Sequence, residues 1–179
     1  LHAVVLTRNS VDVAGALPTL LDEVPVRQLW LPLQARRSPA LQRVLEQARQ
    51  RGLTLVELSR GDQGEAPGGW RWQVMHPQPA TPNAASGAGG LLLRLSRGGA
   101  SALLAGSRQP AWQTEVLDRR EDVAAAGLIA TGAEGDPDWT PGWLSAVRPS
   151  HQAQPSALDE GWVQVVGPEG TSMLLDDDH

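Results

Sequence analysis

The stretch LLLRLSRGGASALLAGS, residues 91–107, carries a clear signal for the fold. Two apolar segments, Leu91–Leu95 and Ser101–Ala105, flank the turn Arg97-Gly98-Gly99-Ala100. Glycine adopts the positive φ angles of a tight hairpin turn at no steric cost, and the apolar segments supply the two strands. The stretch therefore predicts a β-hairpin.

Strand and helix patterns alternate on both sides of this hairpin. Before it, the pattern predicts strands at Ala3–Leu6, Val26–Leu31 (stopped by Pro32), Leu53–Leu58 and Trp70–Met75. Helices are predicted at Gly15–Leu21 and from an N-cap at Ser38 to Gly52, and a turn-rich link at Gly61–Gly69. After it, the pattern predicts a helix at Pro110–Arg120, a strand at Leu128–Thr131, a helix that Thr140 caps, and a last hairpin of Val163–Val166 and Thr171–Leu175. The fold class is α/β or α+β with a hairpin-rich sheet.

Composition is that of a globular domain. The 179 residues suit one domain or a large piece of one, and 41% of them are hydrophobic, which is enough for a packed core. No apolar run approaches the roughly 18 residues of a membrane span, and no signal peptide is visible. Because residue 1 is Leu and Leu1–Leu6 already has a strand pattern, we expect a fragment or an excised domain.

Residue usage is strongly biased. Cysteine is absent, which excludes disulfides and thiolate metal sites. Lys, Phe and Tyr are absent too, and Arg supplies all 15 basic side chains, a bias that indicates a GC-rich source genome. The net charge is −5, whereas a protein that binds nucleic acid usually has a basic face. The densest basic stretch, between Arg36 and Arg51, is a solvated helix surface or a phosphate-contacting patch.

The first strand leads into a run that resembles a known motif. Residues 4–16 read VVLTRNSVDVAGA. They resemble the start of this region in the metallo-β-lactamase-like domain of the ComEC competence (DNA internalisation) family, where an apolar strand precedes Thr-His-x-Asp-x-Asp-His-x-Gly-Gly. The strand, Thr7, Asp12 and Gly15 match. The residues that stand where the motif has its first His, first Asp and second His are Arg8, Ser10 and Val13.

Later segments keep the order of that family's motifs. Asn83-Ala84-Ala85-Ser86 matches its Asn-x-x-Ser loop, and Leu103-Leu104-Ala105-Gly106-Ser107 matches Leu-Leu-x-Gly-Asp, with Ser107 at the metal-bridging Asp. Gly132-Ala133-Glu134-Gly135-Asp136 aligns with Gly-His-His-Gly-Ser, so Ala133 and Glu134 replace both histidines. Ala146-Val147-Arg148-Pro149 matches the family's Ala-Val-Arg-Pro. The resemblance covers residues 1 to about 149.

The resemblance implies a metallo-β-lactamase-like αββα sandwich, two sheets with helices outside. The family's first strands are not in the chain, so the expected sandwich is N-terminally incomplete and exposes a sheet edge. Residues 1–179 then form one partial domain. The recognisable motifs lie in residues 1–149, and residues 150–179 form a C-terminal hairpin and an acidic tail.

The resemblance also implies a lost metal site. The family's hydrolysis uses one or two metal ions, each held by about three or four His, Asp or Glu ligands. The degenerate site positions here are Arg8, Ser10, Asp12, Val13, Ser107, Ala133 and Glu134. Asp12 and Glu134 are weak metal candidates, and Asp12 alternatively binds backbone amides or pairs with Arg8. We expect no catalytic residue and no cofactor; zinc or manganese would bind only to an unexpectedly intact site.

Three interpretations of function remain open. The first is a degenerate domain with a structural or DNA-guiding role, attached to a bacterial inner-membrane channel protein, with Arg8, Arg36 and Arg37 as candidate contacts to weakly bound DNA. The second is an active metal-dependent phosphodiesterase or nuclease with unusual ligands. The third is a pseudo-hydrolase scaffold module outside competence. The first interpretation, a degenerate domain, involves no small-molecule cofactor. His76 is expected at a strand end or on a loop surface rather than as a ligand.

Overall fold

The computed structural model describes residues 1–9, 15, 17–33, 35–66, 68–79, 90–130, 137–155, 163–166 and 172–175. Its strands are β1 Ala3–Val5, β2 Gln28–Pro32, β3 Thr54–Leu58, β4 Gln63–Ala66, β5 Trp70–His76, β6 Leu92–Arg97, β7 Ala100–Ala105, β8 Gly127–Ala130, β9 His151–Pro155, β10 Val163–Val166 and β11 Ser172–Leu175. Its α-helices are α1 Leu17–Glu23, α2 Gln42–Gln50, α3 Pro110–Asp118 and α4 Pro141–Val147.

The first three strands form a small parallel sheet in the order β1-β2-β3. Helices α1 and α2 cover its outer face, because Leu17, Leu45 and Ala48 project from them into one buried cluster with Leu29 and Leu31 of β2. Parallel strands share a direction, so their carboxyl ends lie along one edge of this sheet.

The other eight strands form one large sheet in the order β11-β10-β9-β8-β7-β6-β5-β4. β7, β8 and β9 are parallel to one another, and the other neighbouring pairs are antiparallel. Helices α3 and α4 pack on its outer face through Trp112, Val116 and Trp143, which contact Leu103 and Leu128.

The inner faces of the two sheets pack against each other. Trp30 and Leu58 of the small sheet share a buried cluster with Val74 and Leu93 of the large one. The rings of Trp30 and Trp72 lie 4.6 Å apart across this interface. The layers are therefore helix, sheet, sheet, helix, so the mixed α/β class and the αββα order expected from the sequence are confirmed.

Two local predictions are confirmed in detail. The hairpin of β6 and β7 turns at Gly98 and Gly99, whose φ angles are +56° and +86°. α4 begins after Thr140, whose hydroxyl oxygen accepts a hydrogen bond from the Trp143 amide at 3.2 Å. In both places, the local residue chemistry alone specifies the backbone.

The helix expected from Ser38 begins differently. Ser38 makes no side-chain capping bond, and a 3-10 turn at Pro39–Leu41 precedes α2, which starts at Gln42. Ser38 and Pro39 thus stand at the N-cap and the first position of a helical turn, as predicted, but the Ser38 side chain does not cap it. β2 ends at Pro32, as expected, although the proline itself belongs to the strand and pairs with Leu58. A strand end tolerates proline, whose missing amide hydrogen is needed less there.

Two strands lie where no strand is predicted. β4 occupies part of the expected link at 61–69 and pairs with β5, with Gly64 opposite Trp72. A Cβ atom on Gly64 would lie 2.8 Å from the Trp72 ring, so the glycine provides the space for that indole. β9 pairs with β8 and β10, which makes the predicted last hairpin part of the large sheet.

Candidate functional site

The ends of β1 and β7 meet at one rim of the sandwich. The Thr7 carbonyl oxygen accepts a hydrogen bond from the Leu91 amide at 2.6 Å, and the Leu91 carbonyl accepts one from the Gly106 amide at 2.9 Å. A Cβ atom on Gly106 would overlap the Thr7 carbonyl, and one on Gly90 would lie 2.7 Å from the same oxygen. Glycine at both positions lets the backbones approach, which brings Arg8 and Ser107 to the same junction.

Neither of these two residues suits a metal ion. Ser107 is 5% exposed, and its hydroxyl oxygen accepts a hydrogen bond from the Trp112 indole at 3.1 Å. Arg8 brings a cation, with its Nε atom buried, to the position where the motif has a histidine. A zinc or manganese ion needs His, Asp or Glu ligands with free lone pairs. Within the part of the chain that the structure describes, no three His, Cys, Asp or Glu side chains cluster in a way that would hold a metal.

Five other positions of the predicted site lie outside the described residues: Ser10, Asp12, Val13, Ala133 and Glu134. The two weak metal candidates are among them. The structure thus places two of the seven positions, and it brings those two together.

The candidate DNA contacts Arg36 and Arg37 lie in the 3-10 turn Ala35–Arg37, which follows β2. They are therefore at the same carboxyl edge of the small sheet as Arg8. Arg36 is held there, because its Nη2 donates to the Leu55 carbonyl at 2.5 Å and its amide donates to Glu57 Oε1 at 2.9 Å. Its side chain is still 47% exposed.

The rest of the basic stretch has a mixed surface. Arg49 pairs with Glu46 at 3.4 Å, and Arg51 pairs with Asp22. Exposed pairs of this kind contribute little stability and offset each other's charge. This supports the solvated-surface interpretation for α2, while Arg36 and Arg37 precede that helix.

Gln113 is a structural residue of the rim that sequence reasoning missed. It is fully buried; its Nε2 donates to the Arg108 carbonyl at 2.6 Å, and its Oε1 accepts from the amide and hydroxyl of Thr140 at 3.0 and 2.8 Å. It thus joins α3 to the segment after β7 and to the start of α4. The sequence could have indicated its burial, because helical spacing places Gln113 on the same face as Val116 and Leu117.

His76 lies at the end of β5, as expected, but it is 5% exposed, so a loop-surface position is wrong. Its ring packs against Trp112 with centroids 6.0 Å apart, and its Nδ1 lies 3.8 Å from Glu115 Oε2. Burial lowers the pKa of the His76 imidazole; Glu115 opposes this shift and Arg119 adds to it. Burial therefore favours the neutral form of the imidazole.

Arg119 organises the charges around this histidine. Its guanidinium contacts Glu115 at 2.6 Å, Glu121 at 2.9 Å and the Met75 carbonyl at 2.8 Å. Both carboxylates are thereby paired with a side chain that is only 15% exposed. The cluster joins the end of α3 to β5 by charge-assisted hydrogen bonds.

The chain is similar to a curated protein of known sequence. No family model matches the chain. This chain is 29% identical over 138 residues to ComE operon protein 3 of Bacillus subtilis strain 168. The match covers 75% of this chain and 17% of that protein. The chain thus spans less than a fifth of the length of the relative it matches. As far as the described residues go, no helix has the length and apolar character of a membrane span.

Among solved structures, the chain is similar to Zn²⁺-bound PqqB from Methylobacterium extorquens. The two share 17% sequence identity with a TM-score of 0.46, over 72% of this chain and 41% of the other.

Proposed function

We propose that the chain is a catalytically degenerate metallo-β-lactamase-like domain of a ComEC-type DNA-uptake protein, with a structural or DNA-guiding role. The observation that carries the proposal is the 29% identity to ComE operon protein 3 over 75% of the chain. The αββα layering and the order of the motifs from Thr7 to Pro149 support it. In this proposal residues 1–179 form one partial domain, whose partner is the remainder of a channel protein in the bacterial inner membrane.

The described residues of the rim support a role that is not catalytic. Metal-assisted hydrolysis needs an ion that lowers the pKa of a bound water and neutralises the developing charge on phosphate. At the described ligand positions this chain has a guanidinium and a hydroxyl that already accepts the Trp112 indole proton. Arg8 supplies positive charge, but a guanidinium has no lone pair with which to activate water. These residues do not fit the metal.

A DNA-guiding role uses the same edge differently. Arg8 follows β1, and Arg36 and Arg37 follow β2, so three arginines lie along the carboxyl edge of the parallel sheet. A guanidinium binds phosphate oxygens in bidentate fashion without any metal. The net charge of the chain is −5, so DNA binding at this edge is weak, and its affinity falls steeply as the salt concentration rises.

The test combines cleavage and binding in one set of samples. The purified chain is incubated with fluorescent single-stranded and duplex DNA, with manganese or zinc, and with a chelator. We expect intact DNA throughout, and weak binding at low salt that Arg8→Gln with Arg37→Gln reduces. Arg43→Gln with Arg49→Gln, which removes two charges from the surface of α2, is the matched control and leaves binding unchanged.

Each other outcome bears on the competing functions. Cleavage that a chelator abolishes and that Asp12→Ala removes would establish an active phosphodiesterase and overturn the degenerate assignment. DNA that is neither cleaved nor bound at low salt would overturn the DNA-guiding role and leave a structural role, either in an uptake protein or in a scaffold module outside competence.

A further inference from the structure

We infer that the tip of the β6–β7 hairpin, together with the start of β5, binds single-stranded DNA. The site would hold phosphates on Arg71 and Arg97 and stack a base on Trp70. It lies at the opposite end of β6 and β7 from the rim, because Ser107 follows the far end of β7. The inference deepens the proposed function and rests on it only in taking DNA as the nucleic acid.

A polar groove of about 450 Å³ occupies this tip. It is lined by Gly69, Arg71, Arg94, Ser96, Arg97, Gly98, Gly99, Ala100 and Ser101. The lining contains three guanidiniums and two hydroxyls and no carboxylate, which is a donor-rich surface for a phosphate group. The open turn at Gly98 and Gly99 leaves room for a backbone to approach, since a Cβ on either glycine would touch nothing within 4 Å.

The floor of this groove is fixed in place. Arg94 donates from Nη1 to the Asp122 carbonyl at 2.6 Å and from Nη2 to the Ala124 carbonyl at 3.0 Å, and its side chain is 22% exposed. Its Nη1 also lies 3.4 Å from the Asp122 carboxylate, which offsets part of its charge, so Arg94 shapes the groove while Arg71 and Arg97 supply the free positive charge. A guanidinium held by two backbone carbonyls needs no reordering when an anion arrives, which lowers the entropic cost of binding.

The two outer arginines are available to a ligand. Arg71 lies 3.5 Å from Glu65, but both side chains are about three-quarters exposed, at 76% and 73%. Such an exposed pair is weak, so a phosphate oxygen displaces the carboxylate at small cost. Arg97 is exposed and lies over the Trp70 ring, with its Cζ 5.8 Å from the ring centroid.

Trp70 indicates which polyanion fits. It is a large hydrophobic residue with 38% of its surface exposed, and it stands opposite Arg97 at the edge of the groove. Sites for single strands combine a cationic track with an aromatic ring on which an unpaired base stacks. Duplex DNA keeps its bases stacked inside, so it offers the ring no partner. The pairing of Trp70 with arginines therefore favours a single strand.

Acidic neighbours limit the affinity. Glu65 and Asp122 border the tip, and Asp122 stays ionised because a backbone hydrogen bond from Ala124 and the nearby Arg94 lower its pKa. With Arg71 and Arg97 on phosphates, the logarithm of the binding constant should fall against the logarithm of salt with a slope of about −1.4. The site then acts at low salt and releases the strand readily.

The test measures fluorescence anisotropy of a labelled 20-nucleotide thymidine oligomer with the 179-residue chain, from 50 to about 200 mM salt. We expect Trp70→Ala to weaken binding roughly tenfold and Trp70→Phe to keep most of it, since either aromatic ring stacks. Arg71→Gln with Arg97→Gln should weaken binding at least tenfold and flatten the salt slope. Arg43→Gln with Arg49→Gln, of equal charge change, should bind as the parent does. Thermal melting confirms that each variant is folded.

The outcomes separate this inference from the proposed function. Binding that survives Arg71→Gln with Arg97→Gln but is lost with Arg8→Gln and Arg37→Gln overturns the hairpin site and leaves the proposed function standing. Loss of binding with the hairpin variant, alongside metal-dependent cleavage by the parent chain, supports the site and overturns the proposed function. Duplex bound as tightly as the oligomer, indifference to Trp70→Ala, or no binding at 50 mM salt each overturns the inference.

Discussion

The carbonyl oxygen of Thr7 fills the space that a Cβ atom on Gly106 would occupy. In the motif that the sequence resembles, Gly106 stands at a glycine and Ser107 stands at an aspartate. The close approach of the two backbones at the rim therefore does not require an acidic side chain at position 107. This indicates that the glycine serves the packing of β1 against β7, independently of metal chemistry.

Gly106→Ala should destabilise the chain by about 3 kcal/mol, the upper end of the usual range for overpacking, because the added methyl group meets backbone rather than a flexible side chain. Urea unfolding followed by circular dichroism measures the change in the free energy of unfolding. Gly142→Ala is the matched control: its Cβ would lie 3.9 Å from Leu117 Cδ1, an ordinary contact, and helix α4 gains a better helix former. An equal loss in both variants would contradict the role assigned to Thr7.

Gln113→Ala should destabilise the chain by about 2–4 kcal/mol, since it empties a buried volume and removes three hydrogen bonds. The same unfolding measurement applies. Gln109→Ala, at an exposed position before α3 that makes no capping bond, should change stability by less than about 0.5 kcal/mol. A Gln113→Ala variant as stable as Gln109→Ala would show that the bridge to Thr140 contributes nothing.

Stability should fall as the pH drops below the ordinary pKa of histidine, near 6.5. Burial holds the pKa of His76 below that value in the folded chain, so the unfolded chain takes up a proton more readily and protons favour unfolding. The loss begins near pH 6.5 and ends once the pH is below the folded pKa.

Melting temperatures of the parent and His76→Gln between pH 7.5 and 5 test this. The variant lacks the imidazole, so its curve should be flatter over this window. Parallel curves would mean that His76 takes up its proton without cost, through Glu115 at 3.8 Å.

Elemental analysis of the purified chain should find no stoichiometric zinc or manganese. Arg8 repels a cation, and Ser107 is a weak neutral ligand whose oxygen accepts the Trp112 indole proton. One equivalent of metal that survives dialysis and disappears in Asp12→Ala would show that the rim still holds an ion.

Local chemistry made part of the fold predictable. The two glycines at 98 and 99 specify a hairpin, and Thr140 before Pro141 specifies a helix start, because a few adjacent residues supply the whole interaction. β4 was missed for the opposite reason. Gln63-Gly64-Glu65-Ala66 has no apolar alternation, and what makes it a strand is its pairing with β5, where Gly64 faces the Trp72 ring.

The candidate site divides in the same way. The motif order pointed to Arg8 and Ser107, and the structure brings both to the junction of β1 and β7. The burial of His76 and the bridging by Gln113 depend on how α3 lies against the sheet, through Trp112 and Arg119. Such contacts form between distant segments, so periodicity along one segment does not reveal them.

The two sheets are built from separate stretches of chain. The strands of the small sheet end at Leu58, and those of the large sheet begin at Gln63. Among the described strands, each therefore finds its ladder partners within its own half. The halves meet through side chains such as Trp30 and Trp72 and through the backbone hydrogen bond from Leu91 to Thr7. A boundary of this kind permits exchange of one half between related genes at a single crossover near residue 60, with every described strand pairing left intact.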